Sequence, residues 1–470
     1  MSFPCAAEYP ILVLMQPFRY HVFVCEQRKP EGLPCCAARG AAEVIDALRR
    51  EIAARHLLDL VQVTPCASLG LCERGPNLVI YPDGVWYSGV GVADVPEIVH
   101  EHFEGGRPVQ RLLNHDAAAV KREILENRGR AVAAQQAREA AGALPEDLLA
   151  MFRGYQESRV LLSAIELDVF TAVAGCGEEA TAAEIAAELK TDARATGLLL
   201  NALVALGLLT KHAEAFANTA TARRYLVAGS PADARLALRH NLSLWTTWSS
   251  LTQCVHEGHA VRQREMVERG EEWVAPFIAA MHRNAALRAP LVVEAVGAGG
   301  VRRLLDVGGG SGAYAIAFAR ANPALQAVVF DLAAVVPIAA RHIAEAGLTG
   351  RVTTRIGDLR ADALGSGHDL ILLSAICHML SPAENRDLLR RAFAALNPTG
   401  RVVIQDHIMS ADKTSPRAGA LFALNMLVGT AGGSTYAGDE YADWLRLAGF
   451  VQVRHVPLAG PNDLMTAQRP

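Results

Sequence analysis

No stretch of this 470-residue chain approaches the ~20 consecutive apolar residues that a membrane-spanning helix requires. The opening segment, MSFPCAAEYPILVLMQPFRY, lacks a basic start and has an apolar run of only five residues, so a secretory leader is not expected. A dominant charge is missing as well. The 45 Lys and Arg stand against 49 Asp and Glu, a net charge of −4, which offers no electrostatic attraction to nucleic acid or an anionic membrane. Internal repeats and low-complexity tracts are absent too. These absences predict a soluble cytoplasmic protein without nucleic-acid or membrane partners. What is present is core material: 51% hydrophobic residues and 20% charged, which excludes a largely disordered chain. The length suggests about three domains.

The pattern along the chain divides it into blocks at 1–112, 113–145, 146–290 and 291–470. In the first, HVFVC (21–25) reads as a strand, EVIDALRREIAARH (43–56) as an amphipathic helix, and LVIYPDGVWYSGV (78–90) as a hairpin turning at Pro82-Asp83-Gly84. The second, Ala-, Glu- and Arg-rich, reads as a linker with some helix. The third is nearly all helical, with a capping box from Thr181 to Glu184, and it resembles a winged helix-turn-helix. Its candidate recognition helix, 193–208, carries only Arg194 as a charge. Such a helix is expected to be buried, or to face a second subunit, rather than enter a DNA groove. The fourth block alternates strand-like runs (RRLLDVG, QAVVFDL, RVTTRIGDL, HDLILLS, RVVIQDH) with crossovers, and ends in a hairpin. That is the pattern of a parallel α/β sheet.

Chemistry concentrates at the strand ends of this last block. LLDVGGGSG (304–312) follows a strand and opens a helix. Glycines there let a ligand approach the backbone closely, and Gly308, Gly310 and Ala313 also fit a dinucleotide fingerprint. Asp306, just before them, would repel a pyrophosphate but suit a cation. Asp331 ends the next strand, where an acid can accept from ribose hydroxyls, and Gly357-Asp358 ends the third. His378 follows the fourth strand, where a parallel sheet binds ligands.

In order and spacing, LLDVGGGSG, VVFDL (328–332), IGDL (356–359), SAICHM (374–379) and a Gly-Gly followed by EYADWLRLAGF (440–450) resemble the S-adenosylmethionine (SAM)-dependent O-methyltransferases of the caffeate and acetylserotonin type. The resemblance covers the third and fourth blocks. It implies a winged-helix dimerisation domain, a Rossmann-like class I methyltransferase domain, a homodimer and a small-molecule methyl acceptor. It also implies that SAM is held by Asp306, Gly308, Gly309, Gly310, Gly312, Asp331, Leu332, Gly357, Asp358, Leu359 and Ser374. His378 becomes the general base. One of the family's two His-orienting acids aligns with Asp406; the other falls near Thr435, where no acid stands. Met281, Met426, Trp245 and Trp248 fall where the family lines its acceptor pocket, although each taken singly reads as core.

Six of the nine cysteines lie in the first 72 residues. Cys25, Cys36, Cys66 and Cys72 come from two loops and could hold a [2Fe–2S] cluster, two per iron. Their gaps suit the short knuckles of a structural zinc site less well. HVFVCEQRKPEGLPCCAARG (21–40) and CASLGLCERGPNLVIYPDGVWYSGV (66–90) resemble the thioredoxin-like [2Fe–2S] ferredoxins. That resemblance selects Cys36 over Cys35 and leaves Ser68 where a ligand cysteine is expected; either Cys66 substitutes through a longer loop, the favoured reading, or the site is incomplete, with Ser68 as a weak ligand or a cluster-less thioredoxin-like domain. The combined expectation is an α/β protein: a ferredoxin-like domain fused to a SAM-dependent methyltransferase, with an electron-donor protein as a further partner. The alternatives are a SAM-binding enzyme that does redox or hydroxylation chemistry without methylating, and a redox-sensing regulator.

Overall fold

The computed structural model describes residues 17–29, 33–177, 179–261 and 271–470; Cys5 lies outside them. The chain divides into two compact units, Met1–Met151 and Phe152–Pro470.

The first unit is built on a four-stranded sheet. Its elements are β1 (Tyr20–Cys25), α1 (Ala41–Ala54), β2 (Val61–Cys66), β3 (Asn77–Tyr81), β4 (Val85–Ser88), the short α2 (Val95–Glu97) running into a π-helical turn, and α3 (Ala117–Ala140). The strand order is β2-β1-β3-β4. β1 and β2 are parallel, and β3 is antiparallel to both β1 and β4. Alternation sends Tyr20, Val22 and Val24 of β1 into a core shared with Val44, Ile45, Leu48 and Ile52 of α1, as the two periodicities require. The β3–β4 turn is the expected one, with Gly84 at φ +65°. The expected partly helical linker is instead one continuous helix of 24 residues in which only Val120 is buried. Its Ala, Glu, Arg and Gln content favours helix without needing an apolar stripe.

The second unit opens with helices: α4 (Glu146–Glu166), α5 (Val169–Cys176), α6 (Ala182–Leu189), α7 (Ala193–Ala205), α8 (Ala220–Tyr225), α9 (Arg235–Trp248), α10 (Leu251–Glu257) and α11 (Glu271–Val296). A small antiparallel sheet of β5 (Ala180–Thr181), β6 (Leu209–His212) and β7 (Ala215–Asn218) forms the wing, in the order β5-β7-β6. The Thr181–Glu184 capping box is present, with Thr181 N–H donating to Glu184 Oε2 at 2.8 Å. Leu200 and Leu203 of α7 are fully buried in this subdomain's core, in keeping with a helix that serves packing.

The rest is a seven-stranded sheet. It contains β8 (Arg303–Val307), β9 (Gln326–Asp331), β10 (Val352–Ile356), β11 (His368–Ser374), β12 (Leu396–Asp406), β15 (Val451–Val456) and β16 (Asp463–Gln468), with a two-residue ladder of β13 (Ile408–Met409) and β14 (Tyr436–Ala437) beside it. The helices here are α12 (Ala313–Ala321), α13 (Val336–Glu345), α14 (Pro382–Ala395), α15 (Arg417–Gly429) and α16 (Gly438–Leu447). The order is β10-β9-β8-β11-β12-β16-β15, and only β16 runs against its neighbours. The chain reverses its winding between β8 and β11. That switch point opens a crevice at the strand carboxyl ends, the place where such sheets bind ligands. No helix bridges β10 to β11. Residues 357–367, rich in glycine and charge, are tied down instead by Arg391, whose guanidinium donates to the carbonyls of Leu359 and Asp362. Among the described residues, no helix is long and apolar enough to cross a membrane.

Leu372 sits fully buried at the centre of β11, between β8 and β12. Leu372→Ala should therefore destabilise the second unit by about 2–5 kcal/mol, read as a lowered denaturant midpoint. A loss below about 1 kcal/mol would contradict the packing described.

Candidate active site

β8 ends in Asp306, and the chain turns at once through Gly308, Gly309, Gly310 and Gly312 into α12. Geometry requires glycine at each of these positions: Gly308, Gly310 and Gly312 all hold positive φ, and Gly309 is tightly packed. A Cβ on Gly309 would sit 2.8 Å from the Asp306 carboxyl carbon, and Gly310 holds φ +56° with open space beside it. Asp306 is completely buried. Its Oδ2 accepts from Ala315 N–H at 3.3 Å, while Oδ1 has no partner. A buried carboxylate oxygen left unpaired is costly, and burial pushes this carboxyl up to about 7. Asp331, at the end of β9, accepts from Gly310 N–H at 2.7 Å and from Leu332 N–H at 2.7 Å. Burial holds it above the usual carboxylate range as well. Two poorly solvated acids beside an open glycine turn form an environment that a cation and hydroxyl groups would complete. The chemistry of these residues therefore fits the cationic, hydroxyl-bearing SAM that the sequence resemblance implies.

The other expected cofactor residues are placed less directly. A Cβ on Gly357 would clash with the Phe330 ring at 2.2 Å, so this glycine is a packing necessity. Asp358 Oδ1 accepts from Arg360 N–H at 2.8 Å, which makes the acid part of its own turn. Leu359 approaches Gly308 closely, at the floor of the glycine turn. Ser374 is buried and its hydroxyl is engaged by Gln405 Oε1, which also accepts from Tyr314 OH at 2.9 Å. Sequence reasoning passed over Gln405. Its signal was a lone amide inside the apolar run RVVIQDH. It joins α12, β11 and β12 behind the crevice.

His378 lies in a short turn after β11, at the carboxyl end of the sheet. Asp406, at the end of β12, is completely buried and holds it twice: Nδ1 at 2.7 Å from Oδ1, and the backbone N–H donating to Oδ2 at 3.1 Å. The shorter acid thus reaches the imidazole. Burial alone would raise Asp406, but the His378 ring and the His407 backbone N–H outweigh it and keep the carboxylate below its usual range. An ionised acceptor at Nδ1 leaves Nε2 as the basic nitrogen. Where the second acid is missing, Thr435 is buried and donates to the Gly419 carbonyl at 3.3 Å. The Phe422 ring instead stands edge-on to His378, at 4.8 Å and 89°. The Gly-Gly turn packs beneath. Ser434 N–H donates to the His378 carbonyl at 2.9 Å, and a Cβ on Gly433 would lie 2.4 Å from that oxygen. Trp248 donates to Asn425 Oδ1 at 2.9 Å, next to buried Met426 on α15. Met281 and Trp245 are half-buried on α11 and α9, with Arg159 over the Trp245 ring.

Residues 149–228 match the O-methyltransferase dimerisation domain and residues 248–451 the O-methyltransferase domain. The chain is 38% identical over 325 residues to 3-hydroxy-5-methyl-1-naphthoate 3-O-methyltransferase of Streptomyces sahachiroi, covering 68% of this chain and 93% of that relative. The chain belongs to the O-methyltransferase family. It is 31% identical to acetylserotonin O-methyltransferase of Bos taurus over 67% of this chain and 95% of the relative. Human N-acetylserotonin methyltransferase, solved in complex with SAM, superposes with a TM-score of 0.61 at 26% identity, covering 68% of this chain and 96% of that one. The protein is a SAM-dependent O-methyltransferase. These matches support methyl transfer rather than the redox or hydroxylation chemistry or the regulatory role entertained from the sequence.

The expected cluster ligands are less well assembled. Cys25 and Cys66 are paired in register at the ends of β1 and β2. Cys36 hydrogen-bonds Cys25, and this bond holds the Cys25 thiol down to about 6 while pushing Cys36 up. Cys72 Sγ pairs with Ser68 Oγ at 3.4 Å. Among the described residues, no group of three or more His, Cys, Asp or Glu is arranged to hold a metal ion. The expected set of four thus resolves into one thiol pair with a neighbour, plus Cys72 taken up by Ser68, and no formed metal centre.

A cation brought against Asp306 Oδ1 must lower that carboxyl's affinity for its proton. Binding of SAM near pH 7 should therefore release a fraction of a proton, read by titration calorimetry in buffers of different ionisation enthalpy. Asp306→Asn should abolish that release and weaken binding at least about tenfold. Equal proton release by wild type and variant would contradict the assignment.

Proposed function

We propose that the protein methylates a hydroxyl of a small, largely apolar aromatic acceptor, with His378 as general base, Asp406 as its orienting acid, and SAM seated on the residues around Asp306, Gly310 and Asp331. The observation that carries this reading is the doubly held His378–Asp406 pair at the switch point of the sheet. The names of the relatives, a naphthoate and an acetylserotonin methyltransferase, support an aromatic acceptor, as do Phe422, Met426 and Trp248 near the base. SAM supplies an electrophilic methyl group on a sulfonium. His378 Nε2 takes the acceptor hydroxyl proton, and Asp406 stabilises the imidazolium and holds the ring square to the crevice. Phe422 limits the ring's rotation from the side where an acid is absent. A homodimer is proposed through 149–228, supported by the dimerisation-domain match.

For the first unit, a thioredoxin-like [2Fe–2S] domain is a second reading. It is supported by the β2-β1-β3-β4 order with one parallel pair, and by Cys25, Cys36 and Cys66 gathering at one end of that sheet. The methyl transfer needs no electron, and no step of it is assigned to this unit. Anaerobic purification with iron and acid-labile sulfide analysis tests the reading: about two of each per chain are expected, and their absence would remove it.

His378→Gln should lower turnover by about 10²–10⁴-fold with SAM affinity retained, in assays that follow S-adenosylhomocysteine and methylated product together against a panel of phenols. Asp406→Asn should fall in the same direction. Full turnover by His378→Gln would overturn the base assignment.

A further inference from the structure

His282 of α11 and His342 of α13 stack face to face, their ring centroids 4.1 Å apart and 8° from parallel. His282 Nδ1 lies 2.8 Å from Ser311 Oγ. Ser311 is buried, and its neighbours Gly310 and Gly312 hold φ +56° and +77°. In the run Gly308-Gly309-Gly310-Ser311-Gly312 it is the only residue with a functional side chain. Glycines have little conformational preference of their own, so the shape of this turn must be imposed from outside. At its start the Gly308 N–H donates to the Phe330 carbonyl at 2.8 Å, and in its middle Asp331 holds the Gly310 N–H. The side-chain hold on Ser311 comes from His282.

We infer that His282 is a positioning residue for the cofactor: by anchoring Ser311 it keeps the glycine turn in the shape that receives SAM, and it does so in its neutral form. The titratable groups facing its ring are His342 and Glu345, both on α13, with His342 Nδ1 3.4 Å from Glu345 Oε2. The turn itself contributes the Ser311 hydroxyl. Burial first, and His342 second, hold His282 below the usual imidazole value, while Glu345 pulls the other way. The neutral ring therefore persists at neutral pH. As pH falls, protonation of His282 sets a cation against a turn that must accept another, the sulfonium. Acid should thus weaken SAM binding through His282.

The test is SAM affinity by calorimetry on the full chain, which needs no acceptor. His282→Phe keeps a stacking ring and loses the Ser311 bond. Its Kd should rise about tenfold. His282→Asn offers an amide near the Nδ1 position that cannot take up a proton. It should bind nearly as wild type at about pH 8, with a log Kd slope on the acid side of the ordinary imidazole value shallower by up to about one proton. Asp306 titrates in both proteins, so the difference between the two profiles isolates His282. Ser311→Ala added to His282→Phe should weaken binding no further than the weaker single variant. An unchanged Kd for His282→Phe, or superimposable pH profiles for wild type and His282→Asn, would overturn the inference. If the Phe variant fails to fold, the profile of the Asn variant decides alone.

Discussion

The proposed catalytic end of this protein depends on one buried carboxylate. Asp406 has no exposure to water and accepts from the His378 backbone, the His378 ring and the His407 backbone. An ion so placed is stable only when its donors are fixed, and here each donor is fixed by chain geometry. β11 and β12 pair in parallel register up to Ser374 and Gln405, which brings the ends of both strands level. The turn after β11 then carries His378 onto the acid. Loss of either partner would leave the other buried and uncompensated.

The proposed cofactor end uses the opposite device. Asp306 is as buried as Asp406 but keeps an oxygen without a donor. The two acids lie at the ends of β8 and β12, on either side of β11. One is satisfied and stays ionised. The other is unsatisfied and raised, awaiting a positive partner. Two similar groups thus acquire opposite tasks from their surroundings. Gln405, which takes the hydroxyls of Tyr314 and Ser374, braces the ground between them.

Much of this was legible in the sequence because it is local. Each strand end carries its chemical residue beside it: Asp306 before its glycines, Asp331 closing VVFD, His378 three residues after HDLILLSAI's last serine-alanine turn, Asp406 closing VVIQD. What depends on folding was not. The strand order, with β8 against β11, is a fact of crossover topology. His282 and Ser311 are 29 positions apart and meet only because α11 packs on α12. Phe422 stands edge-on to His378, and nothing around Phe422 in the sequence marks it. The helix α3 reads in sequence as a linker with some helix, because its apolar pattern is weak, yet propensity alone carries it through 24 residues. The cysteines of the first unit were read from a motif with one position changed. That change, Ser68, is the residue that engages Cys72.

The central claim is that Asp406 sets the tautomer of His378, leaving Nε2 free to take a proton. Nitrogen NMR of histidine-labelled protein tests it directly, with the His378→Gln difference spectrum supplying the assignment. The account predicts a neutral His378 ring with the proton on Nδ1 and an unprotonated Nε2 in the alkaline range. A ring protonated at Nε2, with Nδ1 bare, would contradict it.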